Sequence, residues 1–229
     1  MRLKGKFRCV GASDTGRVRE HNEDTIGTDG DIGLVVLADG MGGYKAGEVA
    51  SGIAVRTVLT LVKDAVDRED LSLSDEVNGL SRPGILLRDA IQRANKVIFQ
   101  TARTQSNCEG MGTTVVAGLF FDDKLTIAHV GDSRLYRCRD GKLEQVTQDH
   151  SLLQEQIDSG LITKEDARSS HNKNLVTRAV GIDPEVEAEI HSYDVQEGDI
   201  FLLCSDGLND MIEDDEIQMT LIALRSNLE

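Results

Sequence analysis

Three apolar runs of this 229-residue chain end on a carboxylate. Residues 34–38 (LVVLA) run into Asp39-Gly40, residues 127–130 (IAHV) into Gly131-Asp132-Ser133, and residues 201–205 (FLLCS) into Asp206-Gly207. A fourth acidic group, Asn22-Glu23-Asp24, precedes the first run. One Asp-Gly after a strand is in most cases only a turn. Several together read differently. If the strands are neighbours, their ends bring carboxylates close together, and like charges so placed raise each other's pKa unless a cation intervenes. Glycine after Asp also lets the backbone approach a ligand closely and offer its carbonyl. With oxygen ligands, and no His or Cys at metal spacing, the cation is Mg²⁺ or Mn²⁺ and not Zn²⁺. Two such ions ~3.5–4 Å apart would acidify a shared water and orient it for in-line attack. Arg17 and Arg19 stand just ahead of the acidic group. An Arg here either holds a phosphate through bidentate hydrogen bonds or pairs with a neighbouring acid on the surface.

Other chemistries lack their residues. Cys9, Cys108, Cys138 and Cys204 are isolated, and none is followed after five residues by Arg, so a thiolate phosphatase loop is absent. The bland reading of these cysteines is buried, reduced thiols. No Gly-Lys-Ser/Thr loop for a nucleotide and no EF-hand loop occurs.

Strands are expected over 7–12, 34–38, 114–121, 125–130, 135–137 and 200–204, being short, β-branched and bounded by Gly or Asp. Asp122-Asp123 and Asp140-Gly141 read as hairpin turns. Apolar positions recur at helical spacing from Ala46 and from Leu87, giving two long helices, with a polar surface connection over 63–83 between them. Shorter helices are expected over 152–157, after a Thr163/Asp166 cap box, and over 214–224. Residues 166–174 are polar and read as mobile. Strands in hairpin-like groups with consecutive helices favour an α+β fold of antiparallel sheets in one domain over 1–229.

Six stretches together resemble the metal-dependent PPM (PP2C-type) serine/threonine protein phosphatases, in their bacterial branch. They are SDTGRVREHNED (13–24), GLVVLADGMGG (33–43), GMGTTVVAG (110–118), AHVGDSRLY (128–136), TQDHSL (147–152) and LLCSDGLND (202–210), and they follow family order. The resemblance implies an antiparallel β-sandwich flanked by helix pairs on both outer faces, with a binuclear centre at one end. It implies that Asp39 bridges two metals, Gly40 gives a carbonyl, Glu23 sits on the same side, and Asp206 binds the other metal. Asp132, Asp206 and Asp210 match a third, weaker metal site, so two or three Mg²⁺ or Mn²⁺ ions are implied. Arg19 matches the phosphate-binding Arg, and Asp24 a hydrogen-bond partner behind the ligands. The reaction implied is hydrolysis of phosphoserine and phosphothreonine by metal-activated water, with no covalent phosphoenzyme. The segment over 149–174 would be the flap bordering the site.

Two departures stand out. Met41 occupies the place of a His found in many eukaryotic members, and His129, His150 and His171 are not obvious replacements as general acid. The late Asp-Asn pair is absent, and no Asp follows Asp215. The chain therefore reads as truncated before its last strand, with Asp214 or Asp215 as weak substitutes for the lost ligand. This leaves a second reading open, a regulatory phosphoprotein-binding module with a degenerate site.

Composition narrows the partners. Lys+Arg 25 against Asp+Glu 40 gives a net charge of −15, which disfavours nucleic-acid backbones. Aromatics at 3% with no Trp disfavour base stacking. No apolar run is long enough to span a membrane, and the N-terminus lacks a signal peptide's apolar core. The expectation is a cytoplasmic monomer acting on phosphorylated proteins, the products of a Ser/Thr kinase.

Overall fold

The computed structural model describes residues 7–42, 46–68, 79–168, 170 and 175–224. Residues 1–6, 43–45, 69–78, 169, 171–174 and 225–229 lie outside the described residues, and with them Gly43, the centre of the expected polar connection and His171 of the expected flap.

One sheet runs in the order β1 (Asp24–Asp29), β2 (Leu34–Met41), β4 (Val115–Phe121), β5 (Lys124–Val130) and β8 (Glu189–Asp194), with β3 (Gly112–Thr113) paired to the end of β2. A second sheet runs β7 (Lys142–Gln145), β6 (Arg134–Arg139), β9 (Ile200–Cys204). Every pairing is antiparallel.

Alternation along the strands builds two core layers. Leu34, Val36, Ala38, Val115, Ala117, Leu119, Ala128 and Val130 face a helix pair, α1 (Ala46–Arg68) and α2 (Arg82–Thr104). Leu37, Val116, Leu125 and Ile127 point the other way and meet Leu135 of the second sheet. Ala50, Ala54, Val58 and Val62 recur every fourth residue along α1, and the small alanines let the helix lie close to the strands. Ser81 caps α2 by accepting from the Gly84 N–H at 3.4 Å, and Pro83 sits in the first turn, where no N–H is missed. Beyond the second sheet, α6 (Asp214–Leu224) lies against β7, where Gln218 accepts from the Leu143 N–H at 2.8 Å. The short helices α3 (Leu152–Asp158), α4 (Lys164–Arg168) and α5 (Asp206–Asn209) complete the chain.

The turn chemistry holds. Asp140 (φ 50°) and Gly141 (φ 75°) are both left-handed, the geometry strand twist requires of a two-residue hairpin. Thr163 and Asp166 form the reciprocal cap of α4: Asp166 N–H donates to Thr163 Oγ1 at 3.1 Å, and Thr163 Oγ1 donates to Asp166 Oδ2 at 2.8 Å.

Two expectations fail. Residues 7–12 form no strand: the apolar character there goes into a ring contact, Phe7 to Phe120 at 5.1 Å, and no ladder forms. Cys9 is accordingly exposed, whereas Cys108, Cys138 and Cys204 are buried. Besides the two-residue β3, three strands, β1, β7 and β8, were not expected. Each is a sheet edge, and edge strands carry too few apolar residues to show alternation. Among the described residues no helix is long and apolar enough to cross a membrane.

Candidate metal centre

The site forms where β2 ends. Asp24 opens β1 directly opposite Asp39 in the β1–β2 register, so the pair shares one position along the sheet edge. Asp39's carboxyl lies within hydrogen-bonding reach of both Asp24 and Asp206. Asp206 arrives from the second sheet as the first residue of α5, and the Asp210 N–H caps that helix on the Asp206 carbonyl at 2.9 Å. Asp132 comes from the β5–β6 loop.

These carboxylates act on one another. Burial, then the charges of Asp24 and Asp206, drives the Asp39 carboxyl far above the usual carboxylate range. Burial, then the charges of Asp206 and Asp149, pushes Asp132 up to about 6. Asp206 is likewise raised, by burial and then by Asp210 and Asp24, with Arg19's charge opposing. Arg19 stands at the rim, 71% exposed, its Nη1 3.7 Å from Glu23 Oε2.

Glu23 supplies a further test. Its Oε1 is buried and has no hydrogen-bond partner among the described residues, a costly condition for a carboxylate oxygen. The start of α1 presses against it: a Cβ on Gly47 would stand 2.5 Å from Glu23 Oε1 and 2.8 Å from the Gly40 carbonyl carbon. A Cβ on Gly40 would in turn run into the Gly47 carbonyl oxygen. Crowded acids, an orphaned carboxylate oxygen and a donor set of oxygens fit hard divalent cations such as Mg²⁺ or Mn²⁺.

The structure thus brings together Arg19, Glu23, Asp24, Asp39, Gly40, Asp132, Asp206 and Asp210. Asp24 accepts from Ser205 Oγ at 2.7 Å. Asp214, the candidate substitute ligand, accepts instead from the Tyr136 hydroxyl at 3.1 Å. Sequence reading passed over Ser205 and over the hydroxyls of Thr113, Thr114 and Ser133, which brace the site. Their motifs were visible, but their partners are distant in the chain.

A second cluster, His129, His150 and Glu189, also gathers metal-type ligands. Both nitrogens of His150 and Nε2 of His129 are already engaged. His150 Nδ1 accepts from the Gly131 N–H at 3.1 Å, so the ring proton sits on Nε2, facing Glu189 Oε2 at 3.4 Å. His129 Nε2 binds the Gln148 carbonyl at 2.8 Å. Burial, then the charges of His129 and Arg178, lowers His150 to about 4, which keeps the ring neutral. The cluster is a hydrogen-bonded part of the fold.

A sequence model of the protein phosphatase 2C family matches residues 14–228. The chain belongs to the protein phosphatase 2C family. A Listeria monocytogenes relative, serine/threonine phosphatase stp, is 39% identical over 217 residues, covering 93% of this chain and 82% of its own. The crystal structure of the Mycobacterium tuberculosis serine/threonine phosphatase PstP/Ppp superposes with TM-score 0.80 at 38% identity, covering 92% of this chain and 83% of that one. The catalytic domain of PstP in complex with two manganese ions gives TM-score 0.78 at 37% identity over 92% of this chain and 82% of that chain. The 2C-type sandwich expected from the motifs is the fold found.

Proposed function

We propose that this chain hydrolyses phosphoserine and phosphothreonine in proteins at a Mg²⁺ or Mn²⁺ centre held by Glu23, Asp39, the Gly40 carbonyl and Asp206, with Asp132 and Asp210 serving a further ion. When bound, such ions neutralise the crowded carboxylates and lower the pKa of a water so that it can attack phosphorus at neutral pH. Arg19, exposed at the rim and held near Glu23, is placed to bind phosphoryl oxygens and take up their developing charge. Asp24, itself held by the Ser205 hydroxyl, fixes the Asp39 carboxyl from behind. A thiolate route has no support: burial pushes the Cys204 thiol up to about 12.

The observation that carries the reading is the convergence of Asp24, Asp39, Asp132 and Asp206 from two sheets onto one rim. We take the substrates to be proteins phosphorylated by a Ser/Thr kinase, and the chain to act as a single-domain monomer in the cytoplasm, where its free cysteines stay reduced. Met41 follows Asp39-Gly40, so the proton for the leaving serine or threonine oxygen comes from water or from another residue. The phosphoprotein-binding module is not favoured, because relatives matching most of the chain are named phosphatases.

Release of phosphate from a phosphothreonine peptide with and without Mn²⁺ tests the assignment. Wild type is expected to turn over only with metal. Asp39→Asn should lose on the order of a thousandfold in rate, the several kcal/mol a metal centre supplies. Equal rates in the two proteins at saturating Mn²⁺ would overturn it.

A further inference from the structure

Asp39 and Asp132 leave from β2 and from the β5–β6 loop, and β4 lies between their strands. The hydrogen bonds that cross this gap meet on Thr114, which stands just before β4 and is 2% exposed. Its hydroxyl accepts from the Asp39 N–H at 3.0 Å and is paired with the Ser133 hydroxyl at 2.7 Å. Its N–H donates to the Asp39 carbonyl at 2.9 Å, which the Thr113 hydroxyl also reaches at 2.8 Å. Ser133 directly follows Asp132. On the other side of Asp132, Gly131 (φ +103°) packs so tightly that a Cβ there would stand 2.6 Å from Thr114 Cγ2. One buried side chain therefore touches the main chain of Asp39 and both chain neighbours of Asp132.

We infer that Thr114 is a positioning residue that, with Ser133, fixes the spacing between Asp39 and Asp132 and thereby sets the metal affinity of the centre. The inference rests on the metal-centre reading above. A buried hydroxyl with its partners fixed has one geometry. Its removal leaves the Asp39 N–H buried and unpaired, a cost met by moving the strand end. Groups that orient metal ligands in this way are worth about 10–100-fold in affinity.

Calorimetric titration of Mn²⁺ into the full chain tests this, with circular dichroism as the check on folding. Thr114→Val is expected to bind Mn²⁺ about tenfold more weakly. Its phosphatase rate should return towards wild type as Mn²⁺ is raised. Thr114→Ser, which keeps the hydroxyl, restores wild-type affinity, and Ser133→Ala shows a smaller loss. A folded Thr114→Val that binds Mn²⁺ as wild type does overturns the inference. If Thr114→Val does not fold, Ser133→Ala decides, and unchanged affinity there overturns it. Asp39→Asn separates the two levels. Lost Mn²⁺ binding in Asp39→Asn beside unchanged threonine and serine variants removes only the positioning role. Unchanged binding in Asp39→Asn removes the metal-centre reading and the inference with it.

Discussion

Two groups of partly buried carboxylates lie in this molecule, and they are built on opposite terms. At the rim, Asp24, Asp39, Asp132 and Asp206 face one another, and Arg19, beside Glu23, is 71% exposed. Behind the rim, Asp149 is gripped by Arg134 at 2.7 Å, and Arg134 also donates to the Tyr136 hydroxyl at 2.9 Å. Asp199 is held in the same manner by Arg139 at 2.6 Å, its side chain only 2% exposed. The second group is complete within the chain. The first is complete only with cations from outside. Acids with their own arginines maintain the fold; acids crowded without them are what the fold exists to present.

The contrast can be broken first on its structural side. Arg134→Ala leaves Asp149 without its cation, with only the Gln145 amide at 2.9 Å, and should cost about 2–3 kcal/mol, read as a shift in urea midpoint at unchanged slope. A smaller loss, within the range of an exposed pair, would erase the distinction. On the other side, Mn²⁺ at a hundred times its dissociation constant should add about 2.7 kcal/mol. This corresponds to a rise of roughly 5–10 °C in melting temperature for a chain of this size. Asp39→Asn should show little of that rise.

The smallest effect sharpens the comparison through pH. For Asp199, burial alone would raise the carboxyl, but the hydrogen bonds from Arg139 and the Gln196 N–H outweigh it, and it is held below the usual range. That stability is present above the unfolded pKa of about 4 and is lost as pH falls through the folded one. Asp132, raised to about 6, has the opposite sign: the metal-free protein gains stability as pH falls from about 6 towards 4. Melting temperatures from pH 7 to 3 without metal should therefore rise slightly, then fall. Asp199→Asn should remove part of the fall, and Asp132→Asn part of the rise.

Much of this was written in the sequence where burial is deep. The runs that became β2, β4, β5, β6 and β9 face core layers, so their apolar residues reveal them. The strand β1, which sets Asp24 opposite Asp39, is an edge with one large apolar residue, Ile26, and shows no pattern. Residues 7–12 show the reverse error, since apolar side chains without a pairing partner make a contact and not a strand. The candidate ligands were legible because each follows a buried run or sits in a family motif. The hydroxyls that brace them were not. Ser205 reaches Asp24 across 181 residues and Thr114 reaches Asp39 across 75, and spacing cannot show such contacts.

Gly40 and Gly47 carry a consequence for how this sequence can drift. A methyl on Gly40 would run into the main chain of Gly47 and Glu23, and a methyl on Gly47 would meet the Glu23 carboxylate and the Gly40 main chain. A side chain at Gly40 needs the backbone itself to move, and one at Gly47 displaces the carboxylate of a candidate ligand, so either first step disturbs the rim. The contact between the first turn of α1 and the end of β2 is thus an evolutionary dead bolt, held shut by the absence of side chains.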